Sequence, residues 1–486
     1  MGYLEFLSDE DMRRVHVASL EVLEESGVVF MLEDALRILD DAGCVVDYKK
    51  QVAKIPSHLV EECLKKAIHQ FTRYGRDPKY KIEYAHGKRS YFSLKCGPTQ
   101  FYDDQTGEYR QCTSQDLASM VRLCDALPNV DCAGSYISPP SDVPIEVNDL
   151  YQNLITWRNT VKPLFVGWAD NVAAFKDYIR MLCVVTGRKE EELGKYPVLP
   201  GGSTTANHPF MWGVEPLHKL LIGSRLGLCV QVSVGGILGM DIPVNLGAAL
   251  VVSNAEALSG YVLAKLVNPL SPVSVMGTIR SFDMRDMNIG FGDSEAAVAH
   301  ACQVQMMRHY GIPETNHAVQ DSNTEDAQAG YGKMLLLGIP ALAGASIVQG
   351  LGELAAQNMY SLGQLVIDNE IVDLIKRTQM RLYNGIGLGE EELGVDLIKK
   401  VGPRGSYVKE PHTMRHYRQE LWFPPLGDRK PLQTWIAAGK PGYRDKAFKM
   451  ARQLLAKHEV EPLPKDVDTE LVAIIKEAEK REVGKQ

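Results

Sequence analysis

Apolar positions along the chain fall into two textures. Up to about residue 90 they recur at helical spacing: Val15, Leu20, Val22 and Leu23 share one face, and Leu36, Ile38 and Leu39 open another. This predicts a mainly helical N-terminal attachment over 1–90. From there, short apolar runs rich in β-branched residues alternate with longer helix-like stretches, the rhythm of repeated βα units. The candidate strands are 91–96, 130–137, 163–168, 197–202, 229–234, 272–278, 312–319 and 343–348. Between them, 245–266 reads as a long apolar helix, and Asp293, Ser294 and Glu295 cap another over 296–310. Eight strands in one uninterrupted stretch suit a closed (β/α)8 barrel, a TIM barrel, better than an open doubly wound sheet. The expected organisation is therefore α/β, with a catalytic barrel over 91–383 and a helical C-terminal extension over 384–486. That extension holds the Gly-rich GIGLGEEELG and the aromatic, Pro-containing QELWFPPLGDRKP.

Composition narrows the classes of function. The 486 residues are 45% hydrophobic and 23% charged, with a net charge of -8 spread along the chain. No basic footprint for nucleic acid or an anionic membrane stands out. No apolar run reaches the length of about 18 residues needed to span a bilayer, and the start of the chain lacks a signal-peptide pattern, so the expected location is cytoplasmic. Nine cysteines occur singly with no CxxC pair. They suggest neither a disulfide framework nor a thiolate zinc site, and no metal bound by the chain is expected.

Reactive groups of such barrels gather beyond the carboxyl ends of the strands. The fourth exit, GGSTTANHPFMW, offers His208, Phe210 and Trp212, and the fifth offers Gly235 and Gly236. The sixth, MGTIRSFDMR, places Arg280 beyond an apolar strand. The seventh is the densest, with His317, Gln320, Asp321, Gln328 and Tyr331, and the eighth adds Gln349 and Glu353 beside Gly350 and Gly352. Each feature also has an ordinary reading: turns, loop packing, a surface ion pair or a helix-start carboxylate. GxSxG, HExxH and GxxxxGK[ST] are absent, His412 and His416 have no third ligand in sequence reach, and Cys302 is not read as a nucleophile beside His300.

The seventh exit, DSNTEDAQAGY over 321–331, resembles a segment of the trimethylamine methyltransferase family. RYGRDP at 73–78, DDQTGEYR at 103–110, NAEAL at 254–258, DMR at 283–285 and YGIP at 310–313 resemble the same family in the same order. The resemblance implies a corrinoid-dependent methyltransferase, its corrinoid (cobalamin) carried by a separate partner protein. Archaeal trimethylamine enzymes of the family use pyrrolysine near this exit, whereas only standard residues stand here. That departure points to the branch acting on quaternary amines: glycine betaine first, with proline betaine, carnitine or γ-butyrobetaine in the same class. A quaternary nitrogen leaves as a neutral amine, so no general acid or base is expected. The expected substrate contacts are aromatic faces from Phe210, Trp212 and Tyr331 for the methylammonium head and a donor among His208, Arg280 and His317 for a carboxylate, with Gln320, Asp321, Gln328, Gln349 and Glu353 around them. Gly235, Gly236, Gly350 and Gly352 are expected to face the corrinoid. Two alternatives stay open: a trimethylamine or dimethylamine methyltransferase without pyrrolysine, and a non-catalytic amine-binding barrel. Homo-oligomerisation is left open.

Overall fold

The computed structural model describes residues 2–86, 89–94, 97–134, 138–164, 169, 171–195 and 200–483. The N-terminal segment opens on helix α1 (Asp9–Glu25), set by a reciprocal cap in which Ser8 and Asp11 bond each other's backbone amides. Its Met12, Leu20 and Leu23 turn inward. The segment alternates three helices, α1, α2 (Glu33–Asp41) and α3 (Ser57–Leu64), with five short strands: β1 (Val28–Phe30), β2 (Val45–Asp47), β3 (Val52–Lys54), β4 (Gln70–Tyr74) and β5 (Lys81–Ala85). Hydrophobic period alone does not reveal strands this short, so the mainly helical expectation for 1–90 left them out. The β4–β5 hairpin packs Ile82 and Tyr84 against Tyr91, Cys132 and Ile347 at the amino ends of the barrel strands. It plugs that end.

Strand β6 (Tyr91–Leu94) opens the barrel. A hairpin of β7 (Gln100–Asp103) and β8 (Glu108–Gln111) follows, then helices α4 (Ser114–Ala126), α5 (Asn148–Asn159) and α6 (Val172–Thr186). Strand β9 (Pro200–Thr205) leads through β10 (Met211–Trp212) and α7 (Val214–Arg225) to β11 (Cys229–Ile237), and α8 (Leu246–Val267) to β12 (Val273–Asp283). The short β13 (Asn288–Gly290) folds back on β12, and α9 (Ser294–Tyr310), β14 (Glu314–His317), α10 (Ala327–Ala343), β15 (Ile347–Leu351), the small β16 (Glu353–Leu354) and β17 (Met359–Tyr360), and α11 (Leu362–Asn384) complete the run. The parallel ladder reads β9, β11, β12, β14, β15, β6. Single parallel bridges from Ser93 to Cys132 and from Ala133 to Leu164 add the second and third positions. This is a (β/α)8 barrel. Parts of the expected strands, 95–96, 135–137, 165–168 and 197–199, lie outside the described residues. Elsewhere the expected runs shift by a few residues: β12 extends well past 278 into a hairpin, and β15 starts later than 343 because α10 continues through Ala343.

Helix α8 is apolar and long enough to cross a membrane, but here it packs between the barrel and the N-terminal layer, 72% of its most apolar window buried. The C-terminal extension contributes to the barrel's own core. It comprises the short α12 (Glu390–Leu393), α13 (Val395–Val401), α14 (Pro411–Glu420) and α15 (Leu432–Ala437), then α16 (Tyr443–Lys457) and α17 (Lys465–Glu482). Phe448 of α16 seats its ring where a methyl group on Gly363 of α11 would lie, 2.7 Å away, and Leu471, Ile474 and Ile475 of α17 join the main apolar cluster.

Candidate active site at the barrel mouth

The lumen wall follows from strand alternation. On β12, Val275 and Ile279 pack outward against the surrounding helices, and a methyl group on Gly277 would strike Gln303 of α9. Ser274, Met276, Thr278 and Arg280 therefore face in. Register carries the same face to Gln231, Ser233 and Gly235 on β11, to Thr315 and His317 on β14, and to Ile347 and Gln349 on β15. Two bonds cross this wall: Gln231 Nε2 donates to Thr315 Oγ1 at 3.3 Å, and Gln349 Nε2 donates to Met276 Sδ at 2.7 Å. At the carboxyl ends Thr205 is exposed and Met276, Thr278 and Arg280 are partly exposed, so the wall opens into a well.

Arg280 dominates the electrostatics of that well. Its guanidinium sits 4.7 Å over the Phe291 ring and, among the described residues, forms no salt bridge. Burial pulls its pKa down, while the charges of Glu353 and Asp241 push back; an arginine remains cationic throughout. Glu353, fully buried at the eighth exit, lies near enough for its charge to act on Arg280. His317 and Gln349 lie below them, 2% exposed each.

Gln320 and Asp321 shape the rim. Asp321 accepts from the Phe291 amide at 3.0 Å and the Gly292 amide at 2.9 Å, fixing the loop that carries the ring beneath Arg280. Gln320 bonds the backbone of Ser322 and Glu353. Gln328 and Tyr331 lie on the first turns of α10, Gln328 exposed and Tyr331 62% exposed. Beneath the rim, Lys333 of α10 donates to the carbonyls of Ala318 and Gly350, tying the ends of β14 and β15 together. Its Nζ lies 3.8 Å from Asp368 of α11, both side chains fully buried. Glu325, also buried, joins the seventh exit to Ser361 and to Arg444 of α16.

The fourth exit runs differently. Met211 and Trp212 form β10, which pairs in parallel with β1 of the N-terminal layer. Glu256 of α8 accepts from His208 Nδ1 at 2.8 Å and from the Phe210 amide, and Trp212, with no exposed surface, donates Nε1 to Ser259 Oγ. This takes His208, Phe210 and Trp212 onto the outer side of the barrel, away from Arg280. The expected grouping of aromatics with the seventh exit is corrected by this packing: the pairing of Met211 with Val29, 182 positions away in sequence, redirects the loop. The four glycines also have partners inside the chain. Methyl groups there would meet Thr278 (at Gly235), Ile242 (at Gly236), the Ala318 carbonyl (at Gly350) and Tyr360 with Leu365 (at Gly352).

Thus Arg280, His317, Gln349 and Glu353 come together, Gln320 and Asp321 support them, and the other candidates lie apart. Met276, Thr278, Ser233, Lys333, Asp368 and Glu325 were missed. The alternation in VSVMGTIR carried a signal for the first two; the buried ion pair had none. Among the described residues no three His, Cys, Asp or Glu side chains are grouped to hold a metal.

The comparisons agree with this architecture. A family model described as trimethylamine methyltransferase (MTTB) matches residues 1–484. A trimethylamine methyltransferase MttB of Desulfitobacterium hafniense (strain DSM 10664 / DCB-2) is 30% identical over 97% of this chain and 93% of its own length. A glycine betaine methyltransferase of Desulfitobacterium hafniense (strain Y51) is 28% identical over 99% and 98%. The crystal structure of the monomethylamine methyltransferase MtmB from Methanosarcina barkeri shares the fold at a TM-score of 0.50 and 11% identity, covering 95% of this chain and 96% of that one. The chain is a methyltransferase and belongs to the trimethylamine methyltransferase family.

Proposed function

We propose that this methyltransferase takes its methyl group from a quaternary amine that also carries a carboxylate, glycine betaine foremost, and passes it to a corrinoid held by a separate protein in the cytoplasm. The observation that carries the reading is the guanidinium of Arg280 in the well, which forms no salt bridge among the described residues. A substrate carboxylate would give this guanidinium the bidentate, charge-assisted pair that Glu353 and Asp241, acting on it without a salt bridge, do not supply. Glu353 supplies the opposite charge for the methylammonium end. Trimethylamine or dimethylamine would use only the second group and leave Arg280 without that bidentate pair.

A Co(I) corrinoid supplies the nucleophile that accepts a methyl group. The mouth suits a large planar acceptor presented from outside, because Thr205, Met276, Thr278 and Arg280 remain open along the barrel axis. The glycines first expected to face it are crowded by the chain's own atoms. What this chain's residues do is bind and orient. Arg280 fixes the carboxylate, Glu353 draws the cationic head, and the wall of Met276, His317 and Gln349 limits water around the methyl groups. The leaving nitrogen departs with the C–N electron pair as a neutral tertiary amine, so no proton is moved. A panel of glycine betaine, proline betaine, carnitine, γ-butyrobetaine, choline, trimethylamine and dimethylamine, each mixed with a reduced corrinoid partner and followed by the absorbance change on methylation, tests the reading. Turnover confined to trimethylamine or dimethylamine would overturn it, as would tight betaine binding without transfer.

A further inference from the structure

Arg280 and Glu353 owe their places to one loop. Glu353 opens β16, whose turn into β17 runs through three successive left-handed residues, Ala355 (φ 53°), Ala356 (φ 51°) and Gln357 (φ 71°). Residues with a Cβ keep that conformation only where their surroundings hold it. Here the 320–326 loop holds it: the Ala355 amide donates to the Ser322 carbonyl at 2.7 Å, the Ala356 amide donates to the Gln320 carbonyl at 3.0 Å, and Gln320 Nε2 donates to the Glu353 carbonyl at 3.4 Å. Between Gln320 and Ser322 stands Asp321, which fixes the Phe291 ring against Arg280. The loop therefore supports the cation and the anion of the well together.

What anchors the loop lies outside the barrel. Glu325, its side chain 1% exposed, accepts from Ser361 Oγ just past β17 and, at 2.7 Å, from Nε of Arg444 on α16. The Arg444 guanidinium also lies 4.9 Å over the ring of Tyr102 on β7, the strand that pairs with β17, and 5.2 Å over Phe448. One side chain of the C-terminal extension thus joins the segments that follow β6, β14 and β15. Without it, Glu325 would keep only hydroxyl partners, Ser361 and Thr324. A buried carboxylate in that state is costly and moves toward water, taking its loop with it. The Arg444 side chain is itself 38% exposed, so replacing it opens little space in the core.

We propose that Arg444 is a positioning residue for methyl transfer: its charge holds Glu325, and through the 320–326 loop it sets Arg280 and Glu353 for the substrate. The inference rests on the reading of that pair as the substrate's two charged contacts. Hydrogen–deuterium exchange of the full chain, read on peptides spanning 286–293 and 353–358, should speed up roughly tenfold or more in Arg444→Gln and return most of the way in Arg444→Lys, while the N-terminal layer stays at native rates. In the corrinoid methylation assay, Arg444→Gln should lower kcat/KM for glycine betaine by about tenfold or more, and Arg444→Lys should recover most of the loss. Starting from Arg280→Gln, the fold-loss caused by Arg444→Gln should be about three times smaller, or less, because part of its effect passes through Arg280. Native exchange rates across both peptides in Arg444→Gln would overturn the proposal whatever the substrate. So would undiminished turnover, equal losses in the two backgrounds, or faster exchange throughout the chain, the sign of a merely global loss of stability. Should no carboxylate-bearing amine be turned over, the reading of Arg280 fails by itself, and the exchange rates still decide the role of Arg444.

Discussion

Arg280 and Phe291 stack at 4.7 Å, the ring held in place because Asp321 accepts the amides of Phe291 and Gly292. The ring holds the guanidinium at the well, where it forms no salt bridge among the described residues. Arg280→Gln should therefore lower kcat/KM for glycine betaine by roughly 2–4 kcal/mol in transition-state terms, the scale of a lost charge-assisted pair. Choline and tetramethylammonium, which lack the carboxylate, should change by less than a factor of about three. Equal losses for both substrate types in the corrinoid methylation assay would sink the assignment and return attention to His317.

Trp212 belongs to the core between α8 and the N-terminal layer, where a methyl group added at Gly260 would lie 2.8 Å from its ring. Trp212→Ala should cost about 3–5 kcal/mol of folding stability, read by urea denaturation. KM for the amine should stay unchanged in the fraction that folds. A selective rise in KM at full stability would restore Trp212 to the substrate pocket.

The buried pair Lys333 and Asp368 holds the ends of β14 and β15 under the mouth. Asp368→Asn leaves a buried lysine without its counter-charge and should cost about 3–5 kcal/mol. Lys333→Met combined with Asp368→Leu should recover part of that loss. A double-mutant cycle by chemical denaturation measures the coupling, and additive single losses would show that the pair does not act as one unit.

His300 of α9 is buried, its Nε2 donating to the Ile279 carbonyl at 3.0 Å, and burial first, then the charge of Arg280, push its pKa down from 6.5 to about 3. Between those values the unfolded chain binds the proton and the folded chain does not. Its contribution is complete above pH 6.5 and is lost as pH falls toward 3, by up to about 1.4 kcal/mol per pH unit. Subtracting the pH–stability curve of His300→Gln from that of the native protein should isolate this slope. A flat difference between pH 4 and 6 would contradict it.

The sequence by itself determined the βα rhythm, because strand and helix periods are local properties: β11, β12, β14 and β15 all overlap expected runs, and α9 begins at its expected cap, Asp293. It also located Arg280, His317, Gln349 and Glu353, since residues just past a barrel strand converge whatever the helices do. Only the tertiary structure decided which exits contribute to the well. The pairing of β10 with β1, and the capture of His208 and Phe210 by Glu256, depend on contacts between segments distant in sequence. No local pattern encodes those contacts. Lys333 and Asp368 were hidden for the same reason: each reads as an ordinary polar position on its own helix, and becomes a buried pair only when α10 and α11 pack side by side around the barrel.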